Sequence, residues 1–292
     1  MRLLVTGGRG QLGRAIAARG GNGVHAIGTD ELDICDVAQV CRALTTFDPE
    51  AVINCAAYTK VDRAEVEAVL AHEVNHRGAE VVAVACQERR IPLVHVSTDY
   101  VFSGVSQHPY DEADPIAPIG VYGNSKALGE GAVHAAGGIV VRTSWLFGEG
   151  GPSFIHTIGR LALERPVLRV VADQWGRPTY AGDLADTLLD IVSRATARKP
   201  LAATYHYCNE GTVTWHGFAS AIVEALRQLA PTAVVCQRID PITTAEYPTL
   251  SKRPAYSVLG TSRIEALGVV PPSWRAGMQQ VVAEVARSIA TP

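Results

Sequence analysis

The chain has 292 residues, of which 47% are hydrophobic and 19% charged, with a formal net charge of −3. That length can bury a full core and still carry a smaller second lobe, and the balance of residues lies outside the disordered class. A near-neutral charge without blocks of like sign argues against nucleic acid or an anionic membrane as the main partner.

From the N-terminus, short β-branched apolar runs alternate with longer segments of helical period. Residues 3–6, 24–27, 51–54, 93–97 and 139–142 read as strands, and residues 11–19, 37–47, 74–89 and 122–135 as amphipathic helices between them. The alternation predicts a doubly wound parallel sheet, an α/β domain of Rossmann type. The opening MRLLVTGG leaves no room for the apolar core of a secretory leader, and no run approaches a membrane span, so a cytoplasmic location is expected. The six cysteines (Cys35, Cys41, Cys55, Cys86, Cys208 and Cys236) form no CxxC pair and read as core residues of a reducing compartment.

After Trp145 the texture changes, and residues 147–178 show no regular alternation. A helix over 183–193 and a strand over 204–208 would bring the chain back to the sheet before 212–292 complete the other lobe. The expected domains are therefore interleaved: 1–146 with about 179–207 for a dinucleotide, and about 147–178 with 208–292 as a smaller substrate domain.

Gly7, Gly10 and Gly13 follow the first strand in GxxGxxG spacing and open a helix. Such a turn lets backbone N–H groups approach a diphosphate with no Cβ in the way, although turns before helices also carry glycine for geometry alone. At the end of the second strand, an acid favours NAD and a base NADP. Ile27 and Gly28 stand there, followed by Thr29 and Asp30, so the sequence leaves the choice between NADPH and NADH open. Further on, ELDICDV offers Asp33 and Ile34 to an adenine, while Asp33 and Asp36 serve equally well as turn and helix N-cap residues.

The fourth strand ends in Ser97, Thr98 and Asp99, polar residues at the edge where open α/β sheets bind ligands. Thr98 has a plain alternative, a hydroxyl bonded to its own backbone. Tyr122 and Lys126 then stand four residues apart at the start of a helix, on one face. A lysine ammonium there would stabilise a phenolate and draw the phenol's pKa down toward working pH, making Tyr122 a proton donor to a carbonyl being reduced. The pair alone is a common coincidence of exposed helices; the glycine turn and the strand-end hydroxyl, in the same order along the chain, set it apart. No metal site is expected among the nine histidines.

Together these residues resemble the extended short-chain dehydrogenase/reductases, and within them the dTDP-4-dehydrorhamnose reductases, nearly end to end. The carriers are GGRGQLG from residue 7, VINCAAYTKVDRAE from 52, VNHRGAEVVAVAC from 74 and IPLVHVSTDYVFSG from 91. They continue with PIGVYGNSKALGE from 118, VVRTSWLFG from 140, DQWGRPTYAGDLA from 173 and YPTLSKRPAYSVL from 247. STDYVF followed by VYGxSK and RTSW is the most specific part.

The resemblance implies hydride transfer from NADPH or NADH to C4 of a dTDP-4-keto-6-deoxy sugar, in a pathway supplying rhamnose for cell-surface polysaccharides. It implies that Tyr122 protonates the alkoxide, that Lys126 holds the nicotinamide ribose and that Thr98 bonds the C4 oxygen. Cofactor contacts would fall on Gly10, Gln11, Leu12, Asp33, Ile34, Ala57, Tyr58 and Thr59. Asp99 and Trp145 would meet the sugar, and Arg253 the diphosphate; Trp145 also fits a packing role and Arg253 a solvated one.

Two departures stand out. Gly28 replaces an acidic residue of many relatives, which weakens the case for NADH. Arg14 and Ala15 occupy the place where some members hold a bridging Mg²⁺ through an acid, so a monomer or weak homodimer without a metal bridge is expected. The competing readings are an epimerase or dehydratase that returns its hydride, a reductase of another dTDP-4-keto-6-deoxy sugar, and a non-catalytic cofactor-binding subunit.

Overall fold

A computed structural model describes residues 1–290. Strand β1 (Leu3–Thr6) leads into α1 (Gln11–Gly20), β2 (Val24–Ile27) into α2 (Val37–Phe47), and β3 (Ala51–Asn54) into the short helices α3 (Val61–Ala64) and α4 (Ala68–His72). A π-helical turn at Glu73–Gly78 runs on into α5 (Ala79–Arg89), and β4 (Leu93–Thr98), α6 (Val121–Ala135) and β5 (Ile139–Thr143) complete the first half.

The later elements are β6 (Leu146–Phe147), α7 (Phe154–Glu164), β7 (Val167–Val171), β8 (Trp175–Gly176), β9 (Thr179–Tyr180) and α8 (Ala181–Thr196). They continue as β10 (Thr204–His206), β11 (Val213–Thr214), α9 (Trp215–Leu229), β12 (Arg238–Ile242), α10 (Ser262–Glu265) and α11 (Trp274–Ala290).

Six strands form one sheet in the order β10-β5-β4-β3-β1-β2, every pair parallel. Parallel strands are covered on both faces, which is why β1 and β3 are buried at every position rather than alternately. Leu3 and Val5 pack with Leu12 and Ile16 of α1 and Leu184 and Leu188 of α8 on one face. Leu4 and Val52 pack with Val40 and Leu44 of α2 and Val82 of α5 on the other. The sheet order reverses between β1 and β3, and open α/β sheets bind ligands at the carboxyl ends of the strands flanking that point.

A separate core joins Phe147, Ile158, Phe218, Ile222, Trp274 and Val281, from α7, α9, α11 and the strand that follows β5. The irregularity expected of 147–178 is a correction: α7 and β7 are regular, and β7 pairs in parallel with β12. Ile155, Ile158, Gly159 and Ala162 make the buried stripe of α7, a helical period present in the sequence and stopped by Pro166. Among the described residues, no helix is long and apolar enough to cross a membrane.

Candidate active site

At the carboxyl ends of β1, β3 and β4 lies a cleft of about 540 Å³. The glycine turn forms one wall. Gly7 takes φ +68°, and a Cβ there would lie 2.7 Å from the Ala56 nitrogen; one on Gly13 would lie 2.5 Å from the Gly7 oxygen. Close approach of three backbone segments therefore requires both glycines. No side chain caps the start of α1 at Gly10, so its first N–H groups are available to an anion. Gln11, beside them, donates from Nε2 to the Pro152 oxygen at 2.5 Å, and Arg14 Nη2 donates to the Gly150 oxygen at 2.8 Å. These bonds draw the loop after β6 against the turn.

Opposite stands the segment after β3. Ala57 and Thr59 line the cleft, while Tyr58 turns its hydroxyl to Glu67. Its main chain is held by Asn75 of the π-helical turn: Tyr58 N donates to Asn75 Oδ1 at 2.8 Å and Asn75 Nδ2 donates to Tyr58 O at 3.0 Å. Asn75 Nδ2 also reaches Ser125 Oγ at 3.0 Å, tying this wall to α6. The extra residue of a π turn, a feature common near functional sites, aims one side chain at both segments.

Thr98, Asp99, Tyr122, Lys126 and Trp145 converge on the same cleft. The Thr98 hydroxyl accepts from Tyr100 N at 3.2 Å and donates to Asp99 Oδ1 at 3.0 Å, so the local backbone bond is made. It is also within hydrogen-bond reach of the Tyr122 side chain. Burial pushes the Asp99 carboxyl up to about 6.

The expected effect of Lys126 on Tyr122 is not seen. Burial raises the Tyr122 phenol above its ordinary value, opposed first by the bond with Thr98. Lys126 Nζ turns instead to β4, donating to the Val96 oxygen at 2.7 Å and lying 3.1 Å from His95 Nε2. Helical spacing puts the two residues on one face, but the long lysine stem reaches a different partner. Lys126 is itself buried, which lowers its pKa to about 8, with Glu130 and Cys55 acting the other way. At neutral pH Tyr122 is thus a protonated phenol, the form that an acid in a reduction requires.

Trp145 lines the cleft and is half-buried, in the left-handed region at φ 48°. Its ring stacks on Trp215 at 3.5 Å and 8° and covers Gly176, where a Cβ would lie 2.4 Å from it. Trp145 therefore lines the cleft and packs against its neighbours at the same time.

Four candidates lie off the cleft wall. Asp33 is exposed, and its carboxylate closes a turn by accepting from Cys35 N at 2.9 Å. Ile34, the second, is buried in the core against Gly78. Tyr58 is the third. Arg253 pairs with Asp62 at 2.6 Å and reaches the Tyr100 hydroxyl at 3.5 Å, so it is held in place beside a cleft residue rather than solvated.

The structure adds residues that the motifs did not show. Arg9 crosses Gly28 at the end of β2, where a Cβ would lie 2.7 Å from Arg9 Nε. The missing side chain makes room for the guanidinium, which pairs with Asp30 and, at 3.2 Å, with Glu31 in solvent-exposed contacts. Trp215 joins Trp145, and Asn54 and His95 lie beneath Lys126; only the fold brings them there. Among the described residues, no group of three His, Cys, Asp or Glu side chains could hold a metal ion.

A family model described as the RmlD substrate binding domain matches residues 1–287. The dTDP-4-dehydrorhamnose reductase of Aggregatibacter actinomycetemcomitans is 43% identical, over 96% of this chain and 98% of its own. A probable dTDP-4,6-dihydroxy-2-methyloxan-3-one 4-ketoreductase of Streptomyces antibioticus is 38% identical, over 98% and 96%. The dTDP-4-dehydrorhamnose reductase of Bacillus anthracis, solved in complex with NADP, superposes with a TM-score of 0.88 at 37% identity, covering 97% of this chain and 99% of that one. On a match of this length and these identities, the chain belongs to the RmlD substrate binding domain family, that of the dTDP-4-dehydrorhamnose reductases.

Proposed function

We propose that this chain reduces the C4 keto group of dTDP-4-dehydro-L-rhamnose to dTDP-L-rhamnose, the last step of dTDP-rhamnose synthesis, with NADPH or NADH. The convergence of Tyr122, Thr98 and the glycine turn on one cleft carries this reading. The glycine cradle fits a dinucleotide because a Cβ at Gly7 or Gly13 would fill it and the start of α1 is uncapped. Gly7, Gly10, Gln11, Leu12 and Gly13 would hold the diphosphate and Ala57, Tyr58 and Thr59 the nearby ribose, with Asp33 and Ile34 flanking the adenine. When bound, the nicotinamide supplies hydride to C4.

The residues of the chain do the rest. Thr98 turns its hydroxyl proton from Asp99 to the C4 oxygen and fixes it before Tyr122, whose phenol gives up its proton as the oxygen gains charge. Lys126, one helical turn along, holds the ribose side of the cleft. Trp145 offers an aromatic face to the sugar, Asp99 accepts from its hydroxyls, and Arg253, ordered by Asp62, meets the diphosphate. The first lobe, 1–146 with about 179–207, holds the cofactor and the remainder the nucleotide sugar, in a cytoplasmic monomer or weak homodimer.

A second reading, another dTDP-4-keto-6-deoxy sugar as substrate, is favoured by the similarity to the Streptomyces antibioticus ketoreductase. Spectrophotometry at the nicotinamide band with product NMR tests both. Oxidation of one NAD(P)H per dTDP-4-dehydro-L-rhamnose consumed, with dTDP-L-rhamnose formed, is expected. Turnover with retained NAD⁺ and no net oxidation would make the chain an epimerase-type enzyme instead.

A further inference from the structure

Helix α3 is a single turn that runs on from the cleft wall at 57–59; its Val61 lines the cleft and its Ala64 is buried. Two acids three residues apart share one face of it, Asp62 within the turn and Glu65 just after. Their carboxylates reach two different parts of the site. Asp62 Oδ1 accepts from Ser251 N at 3.2 Å and Oδ2 from Arg253 Nη2 at 2.6 Å, so one side chain holds both the main chain and the guanidinium of the loop 251–253. Glu65 Oε1 accepts from Val121 N at 3.0 Å.

The Glu65 bond falls where helix α6 has least support of its own. Val121 is the first residue of the helix, so its N–H has no acceptor within it, and Gly120 before it has no side chain to supply one. A carboxylate also suits the positive end of the helix. Gly120 leaves the room for it: a Cβ there would lie 2.8 Å from Glu65 Oε1 and 2.9 Å from Ser251 Oγ. The next residue is Tyr122. Its ring meets that of Tyr100 edge to face at 5.6 Å and 75°, and the Arg253 guanidinium stands over the other ring, 6.0 Å from its centroid. From one turn of helix, therefore, one acid holds Arg253 over Tyr100 and the other holds the backbone one residue before Tyr122.

We propose that Asp62 and Glu65 are positioning residues with separate tasks: Glu65 sets the start of α6, and with it the reach of the Tyr122 phenol to the C4 oxygen, while Asp62 presents Arg253 to the diphosphate. Asp62 and Tyr100 each engage one N–H of the Arg253 guanidinium, and its other donors are left for phosphate oxygens. Neither acid touches the reacting atoms. Displacing Tyr122 by about 1 Å costs turnover without costing binding. An Arg253 free to rotate costs affinity, because its side chain must then be ordered when the ligand arrives, and leaves the chemical step alone. Helix α3 thus registers the loop 251–253 on the helix that carries the acid.

These roles rest on the reduction proposed above, so the test pairs kinetics with two readouts that need no turnover. Hydrogen exchange at the Val121 amide, followed by NMR, is expected to speed up about tenfold in Glu65→Ala and to stay near the wild-type rate in Glu65→Gln, whose amide oxygen still accepts from Val121 N–H. In the same pair kcat is expected to fall about 10- to 100-fold for alanine and to recover for glutamine, with the KM for the nucleotide sugar within about twofold. Asp62→Asn gives the opposite split. It keeps an oxygen for Ser251 N but turns an NH₂ toward the guanidinium, so the calorimetric Kd for dTDP and the KM are expected to rise about tenfold while kcat and Val121 exchange hold. Unmoved Val121 exchange in Glu65→Ala, dTDP binding unchanged or tighter in Asp62→Asn, or the same kcat and KM losses in both would overturn the proposal. A wild type that binds dTDP but reduces no keto sugar would fail the reduction instead, and the exchange and binding arms would still decide the roles of the two acids.

Discussion

Asn75 grips the main chain of Tyr58 from both sides, accepting from its N–H at 2.8 Å and donating to its carbonyl at 3.0 Å. A side chain in the π-helical turn thus sets the height of the segment 57–59 over the cleft, and through Ser125 it sets the start of α6 as well. Asn75→Ala leaves both main-chain groups of the half-buried Tyr58 without their partner. A loss of about 2 kcal/mol in stability is expected. The Kd for NADP⁺ should weaken while the far-UV signal is unchanged; chemical denaturation with a binding titration reads both.

Arg9 lies over Gly28, where the cofactor's adenosine ribose ends in folds of this order. Its ion pairs with Asp30 and Glu31 are exposed and hold it only weakly, so it is free to meet a 2′-phosphate. Preference for NADPH is expected. Arg9→Ala should weaken NADP⁺ binding by roughly tenfold, about 1.4 kcal/mol, and leave NAD⁺ nearly unchanged. Calorimetric titration of both nucleotides checks the ratio; equal losses would place Arg9 outside the phosphate contact.

The Asp99 carboxyl, buried at 2% exposure, is raised from 3.8 to about 6. A folded-state pKa above the unfolded value means that the native state binds the extra proton. Stability on account of this group is therefore fully present below about pH 4 and lost as pH rises through about 6. At neutral pH the ionised carboxylate costs about 3 kcal/mol by that shift. Asp99→Asn keeps the oxygen that accepts from Thr98 and removes the charge, so at pH 7.5 its Tm is expected to rise by several degrees. The KM for the nucleotide sugar should rise at the same time, the trade that marks a binding residue. Thermal melts of the two proteins across pH, converging near pH 4, check the sign.

Trp145 and Trp215 present a stacked pair with centroids 3.5 Å apart. Trp145→Ala should raise the KM for the sugar nucleotide about tenfold through lost stacking area, with little change in NADPH binding. Trp215→Phe retains an aromatic platform and should give a smaller effect in the same steady-state assay.

How far the sequence was legible depends on the range over which each feature is determined. The strand at Leu3–Thr6 and the turn at Gly7 are local, a run of apolar residues followed by backbone that only glycine can adopt, and they appear where expected. Helix α7 was equally local, with its stripe at Ile155, Ile158 and Ala162, but the glycines and prolines around it masked the period. The direction of the Lys126 stem was beyond a spacing rule, because it depends on a carbonyl of β4 thirty residues earlier. Likewise Asn54 and His95 become neighbours only through the register of β3 on β4, and Trp215 meets Trp145 only when α9 packs behind the cleft. Asp33 and Asp36 followed the simpler of their two readings as far as their own bonds go, one closing a turn and the other capping a helix.

The central claim is that the Tyr122 phenol protonates the substrate oxygen. The direct test is the single-turnover rate of NADPH oxidation with dTDP-4-dehydro-L-rhamnose in wild type and Tyr122→Phe, each shown to be folded and to bind cofactor. A loss of about 10²–10⁴-fold in the variant, with the wild-type rate holding across neutral pH because burial keeps the phenol protonated, is the predicted result. A variant that reduces the substrate at the wild-type rate would contradict it.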